Sequence, residues 1–155
     1  MKSYKHKYGV TLVEMLIVVA IIALLATMVI GIATRIDNQS KERALKNTFG
    51  LLEGALQEYY EYNGKFPEYT VDIGRVERSE ILYRELNRIP SSRKILEEIS
   101  DSLIEDKSGT PGVLEIYDPW KVELDYRYVA GNNFPELISA GPDRDFNTPD
   151  DITGR

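Results

Sequence analysis

Cysteine is absent from the 155 residues, so no disulfide can staple the chain and no thiolate can act as nucleophile or metal ligand. Histidine occurs once, as His6, in a short basic stretch at the N-terminus. Basic residues are in deficit, 19 against 25 acidic ones, for a formal net charge of −6. An acidic exterior of this kind argues against nucleic acid, whose recognition needs a basic footprint. Proline is missing before Pro67, and beyond Arg35 there is length for only one small domain.

What the chain does have is a long apolar run. Met15 to Thr34 is twenty residues without a charge. At ~1.5 Å per residue such a helix covers ~30 Å, the hydrocarbon thickness of a bilayer. The run is too long for a cleaved secretory signal and continues into a charged amphipathic helix. The preceding Met1 to Gly9 carries Lys2, Lys5 and Lys7, which suits a segment held at a cytoplasmic surface. Arg35, Lys41, Arg43 and Lys46 follow the run and are partly offset by Asp37 and Glu42, so charge counting leaves the orientation open. Glu14 stands at the mouth of the run, where an ionisable group is costly and needs a partner.

The stretch Gly9-Val10-Thr11-Leu12-Val13-Glu14 ahead of this run resembles the type III signal of type IV pilins and type II secretion pseudopilins. The resemblance implies that a membrane-embedded prepilin peptidase cuts after Gly9 and that the new amino terminus, Val10, is methylated. It makes Glu14 the acidic residue of filament assembly. An amine at Val10 of one subunit and Glu14 of its neighbour would neutralise each other in a low-dielectric core and set axial register. Val10 stands where the family usually has phenylalanine, and Gly31 where it often has a kink-forming proline. Cleavage would discard His6 and three lysines, leaving 16 basic against 25 acidic side chains, a net of −9. Histidine-dependent triads and His-based zinc sites are then excluded from the processed chain.

Leu45, Phe49, Leu52, Leu56 and Tyr59 repeat at spacings of four and three, which predicts an amphipathic continuation of the same helix, ended by Asn63-Gly64. Gly31 is the only breaker between anchor and stripe, so one helix of about 50 residues is expected. Two further helices are expected at Val76 to Arg88 and Ser92 to Ile104, separated by Pro90, with Ser91 or Ser92 as cap of the second. After a loop at Ser108 to Gly112, strands are expected at Val113 to Tyr117 and Leu124 to Val129. In the second, Leu124, Tyr126 and Tyr128 should face inward, and Asp125 and Arg127 outward. Asp118-Pro119-Trp120 between them resembles the turn of the major pseudopilin head, with Trp120 in the core.

Asp143, Asp145, Asp150 and Asp151 place four carboxylates within nine residues of a glycine- and proline-containing loop. Oxygen-rich loops of this kind suit Ca²⁺. An EF-hand is rejected: Asp143, Asp145 and Asn147 fit its start, but Thr148 replaces the turn glycine and no closing glutamate follows. The segment from Ser139 to Ile152 resembles the calcium loop of major pseudopilins. On that match Asp143 and Asp151 are the first ligands, Asp145 and Asp150 further ones, and main-chain carbonyls near Ile138 and Ser139 complete the shell. A solvated acidic turn is the alternative.

The expected fold is α+β and pilin-like: a long N-terminal helix, half membrane anchor and half amphipathic, packed on a small antiparallel sheet with extra short helices. The expected division is a leader at 1–9, a transmembrane helix at 10–34 and a periplasmic head at 35–155. The implied function is that of a type II secretion pseudopilus subunit in the inner membrane, whose partners are other pseudopilins, the prepilin peptidase and the inner-membrane assembly platform. A type IV pilin or minor pilin for adhesion, motility or DNA uptake is the alternative. A membrane-anchored hydrolase using Asp143 and Asp151 is disfavoured by the small head, which leaves little room for a ligand cleft.

Overall fold

The computed structural model describes residues 11–69, 73–107 and 112–155, and at 29–32 the backbone alone. Gly9, Val10 and most of the loop expected at Ser108 to Gly112 lie outside the described residues. By its internal contacts the chain divides into two compact units, Met1–Gln39 and Ser40–Arg155. Helix α1, Leu12–Asn63, contributes to both and includes Gly31.

Within the first unit the helical stretch from Met15 to Met28 carries no charge on any side. Leu12, Leu16, Val19 and Ile22 all keep more than half of their surface exposed. A helix that is apolar all round belongs in a membrane or among other helices, and this one is long and apolar enough to cross a membrane.

In the second unit the predicted stripe is the floor of the core. Leu45, Phe49, Leu52, Leu56 and Tyr59 are all buried, joined by Ala55 and by Thr48, whose hydroxyl donates to the Ala44 carbonyl at 3.0 Å. The helix stops at Asn63 because Gly64 takes a left-handed φ of 71° and donates its N–H back to Tyr60 O at 2.7 Å.

Helix α2, Arg75–Arg88, forms nearly as expected and buries Ser79, Leu82 and Leu86. Helix α3 differs: it spans only Pro90–Leu96. Pro90 opens it rather than separating it from its neighbour, because the fixed φ of proline suits a first helical position and leaves Ile89 extended as N-cap. Neither Ser91 nor Ser92 caps it; Ser92 is buried and donates to Ala55 O at 2.8 Å, pinning α3 to α1. Ile99 and Leu103 reach the core from a turn and a 3-10 segment, Asp101–Leu103, instead of from a longer helix. That turn frees β1, Ile104–Glu105, to pair antiparallel with β2, Glu115–Ile116. Tertiary pairing outweighs helical periodicity here.

The remaining strands, β3 at Asp125–Arg127, β4 at Glu136–Ser139 and β5 at Ile152–Thr153, form a second antiparallel sheet in the order β3-β4-β5. The two expected strands therefore lie in different sheets, linked by a single bridge between Tyr117 and Glu123. β4 and β5 were not foreseen.

Alternation fails at one position. Leu124 and Tyr126 are buried as expected, but Asp125 is fully buried too. Its Oδ1 accepts from Arg78 Nε at 2.9 Å and Nη2 at 2.5 Å, and its Oδ2 accepts from Arg127 Nε at 2.7 Å. Arg78 also donates to Ile73 O at 3.0 Å, so one buried carboxylate ties α2 to β3. Asp125→Ala strands Arg78, whose side chain is only 17% exposed. The expected loss is about 3 kcal/mol of head stability, read as a lower urea midpoint of Trp120 fluorescence on the detergent-solubilised chain. An unchanged midpoint would show that the ion triad does not hold the two elements together.

Candidate assembly and cation sites

Glu14 is the third residue of α1, with Thr11 immediately before the helix. Glu14 Oε2 accepts from both the N–H and the hydroxyl of Thr11 at 2.8 Å, and Thr11 Oγ1 accepts from the N–H of Glu14 at 3.2 Å. This reciprocal arrangement is a capping box, in which side chains satisfy donors that the first helical turn leaves open. Oε1 takes no part in it. Sequence reasoning gave Glu14 one task, charge pairing, and missed the second. The signal was present, since Thr-x-x-Glu ahead of an apolar run is the capping-box pattern.

The second site is built on a turn and a strand end. Asp118 is fully buried; its N–H donates to Val122 O at 2.8 Å and its carbonyl accepts from Lys121 N at 3.0 Å, closing the turn that seats Trp120 in the core. Its Oδ1 accepts from the N–H groups of Trp120 at 2.9 Å and Val122 at 3.0 Å, and its Oδ2 accepts from the Ser139 hydroxyl at 2.6 Å. Burial pushes this carboxyl above the ordinary range, and the three hydrogen bonds, led by Ser139, oppose the shift. Sequence reasoning assigned the turn to Trp120 and passed over Asp118.

Ser139 ends β4, and two residues later Gly141 turns with φ 71° and donates to Ser139 Oγ at 3.1 Å. A Cβ at Gly141 would come within 2.2 Å of Asp150 O, so the two limbs of the acidic loop touch at this glycine. The loop is then laced by its own carboxylates. Asp150 Oδ2 accepts from Asp143 N at 3.1 Å, Asp143 Oδ1 from Asp145 N at 2.9 Å, and Asp151 Oδ2 from Asn147 N at 2.8 Å. Thr148 donates to Asp150 Oδ1 at 2.7 Å, and this bond first, then the Asp143 N–H, holds the Asp150 carboxyl below its ordinary value. Phe146 at the loop's tip lies under the Arg75 guanidinium, 4.4 Å from its ring centre.

Of the four predicted ligands, Asp143, Asp150 and Asp151 are drawn across the loop, whereas the Asp145 carboxylate joins none of these bonds. Among the described residues no three acidic side chains are grouped closely enough to hold a metal ion by themselves. Asp151 Oδ1, however, is buried without a hydrogen-bond partner. A buried orphan oxygen in a carboxylate-laced loop fits one ligand of a Ca²⁺ shell whose other oxygens come from carbonyls and water.

Residues 4–30 match the prokaryotic N-terminal methylation motif. The N-terminus is therefore similar to those of type IV pilin-like proteins. The motif covers Gly9, Val10 and Glu14 and is typical of type IV pilins and pseudopilins alike. It implies processing by a prepilin peptidase and assembly into filaments, and with the apolar half of α1 it supports membrane anchoring. The long helix, small antiparallel sheets and short helices agree with a pilin-like α+β fold. No curated protein and no solved structure matches the chain.

Gly141→Ala tests the loop's closure. A left-handed residue with a Cβ costs ~1–2 kcal/mol, and here the Cβ also meets Asp150 O. The expected result is rapid tryptic cleavage after Arg144 with the urea midpoint of the core little changed; continued resistance at Arg144 would show that the loop does not depend on this contact.

Proposed function

We propose that the chain is a structural subunit of a type II secretion pseudopilus, anchored in the inner membrane with its head in the periplasm and assembled with other pseudopilins to help drive protein export. Its role is assembly, and no reaction is assigned to it. Glu14 carries the reading. It is the only charge between Lys7 and Arg35, at the head of an apolar stretch whose described side chains, such as Leu16, Val19 and Ile22, are exposed. Packing such helices together covers that surface, and a neighbour's amine at Val10 then neutralises the carboxylate. Release of the subunit from the peptidase-processed precursor pool into a fibre is the step this pairing favours.

Glutamine at position 14 separates the two tasks of the residue, because it keeps the capping box but lacks the charge. Glu14→Gln and Glu14→Ala should both be processed and both fail to enter filaments, with at least a tenfold loss of sheared or cross-linked polymer. Filaments of Glu14→Gln at the normal level would reduce Glu14 to a helix cap.

The cation reading belongs here as well. The orphaned Asp151 Oδ1 and the laced loop support Ca²⁺ as the ligand, held by Asp143 and Asp151, with Asp150 and Asp145 as further donors and main-chain oxygens beside them. The ion would order the loop and so stabilise the surface offered to neighbouring subunits. At 100-fold excess over its dissociation constant it adds about 2.7 kcal/mol, so Ca²⁺ should raise the melting temperature of the full chain, and EDTA should lower it again. Equal melting temperatures with and without Ca²⁺ would leave the loop a solvated acidic turn. The type IV pilin reading shares the N-terminal machinery; the Asp118 turn, the acidic loop and the lack of cysteine favour secretion.

A further inference from the structure

We propose that Asp118 is the positioning residue of the C-terminal acidic loop, acting through Ser139 on the limb that carries Asp150 and Asp151. The inference extends the cation reading of the loop. It starts from an unbroken series of contacts: the Gly141 N–H donates to Ser139 Oγ at 3.1 Å, the Ser139 hydroxyl donates to Asp118 Oδ2 at 2.6 Å, and Asp118 Oδ1 is held by the Trp120 and Val122 N–H groups. Asp118 and Ser139 are fully buried, so water does not compete for these bonds. At its far end Gly141 abuts Asp150 O so closely that no Cβ fits between them.

The chemistry fixes the direction of the relay. Asp118 faces three donors, and an ionised carboxylate only accepts. Its demand for the Ser139 proton leaves the serine lone pairs free to accept from Gly141, which places the glycine and with it the carbonyl of Asp150 pressed against it. Asparagine would turn an N–H toward Ser139 Oγ and leave the serine proton without its acceptor. The strand end, the turn and both limbs of the loop are thus set by one buried carboxylate nearly twenty-five residues earlier in sequence than the loop it orders. Partners one step behind metal ligands typically change affinity about 10- to 100-fold when removed.

The competing account is that Asp118 serves only its own turn. Ser139→Ala separates the two, because it cuts the relay and leaves the Trp120 and Val122 bonds in place. Three readouts on the full chain in detergent suffice: CaCl2 titration by calorimetry, hydrogen exchange of the 141–151 amides in EDTA, and the urea midpoint of Trp120 fluorescence. Relay action predicts that Ser139→Ala weakens Ca²⁺ binding about tenfold or more and speeds loop exchange in EDTA by more than the accompanying fall in the Trp120 midpoint, caused by the lost donor to Asp118 Oδ2, accounts for. Asp118→Asn combined with Ser139→Ala should then disturb loop exchange no more than Asp118→Asn alone. Unchanged loop exchange in Ser139→Ala, or effects of the two substitutions that simply add, would overturn the proposal. Wild-type chain that takes up no Ca²⁺ would remove the cation reading, whereas the exchange measurements in EDTA would still decide the role of Asp118.

Discussion

Everything in the head depends on covering one face of α1. A helix carrying Leu45, Phe49, Leu52, Leu56 and Tyr59 along a single stripe cannot leave them in water, since each fully buried apolar side chain is worth about 1.5–3 kcal/mol. The other elements are arranged to supply that cover. α3 is pinned to the helix by the Ser92 bond to Ala55 O, Ile95 lies against Gly54, and α2 reaches Tyr59 through Glu85. At the C-terminus Gly154 rests on Phe49 and Arg155 pairs with Glu53 at 3.2 Å. In the first half of the same helix the described apolar side chains stay exposed, a surface suited to lipid or to other helices.

Strands of two to four residues offer few ladder bonds, so the β-region is held by buried polar side chains instead. Asp125 joins α2 to β3 through two arginines, and Ser79 joins α2 to β2, donating to Ile116 O at 3.2 Å and accepting from Ile116 N at 2.9 Å. Asp118 joins the turn, β4 and the acidic loop. In a chain with an excess of acids, burial of a carboxylate is tolerable only where several donors converge on it. Here they do so at the points where short elements must be kept in register.

How much of this could be read in advance depended on whether the signal was local. The stripe, the Asn63-Gly64 stop and the buried Trp120 follow from neighbouring residues and are found as expected. The shortened α3 does not, because its end is decided by the pairing of Ile104 with Ile116, outside the reach of helical spacing. Asp125 was placed outward by alternation, which has no knowledge of Arg78 approaching from another element. The acidic loop was visible as a density of carboxylates. Its lacing and its tether to Asp118 were not, since they arise from contacts across the fold. The Thr11 to Glu14 box is different in kind: it was legible as Thr-x-x-Glu and was overshadowed by the charge argument.

The proposed role requires that the N-terminus be processed and the helix kept. Intact-mass and N-terminal peptide analysis of the chain, extracted from membranes of cells that contain a prepilin peptidase, tests this most directly. The account predicts a chain that begins at Val10 and carries one methyl group on its amine, with Met15 to Thr34 retained. A chain still beginning at Met1, or one cut after the apolar run, would contradict it.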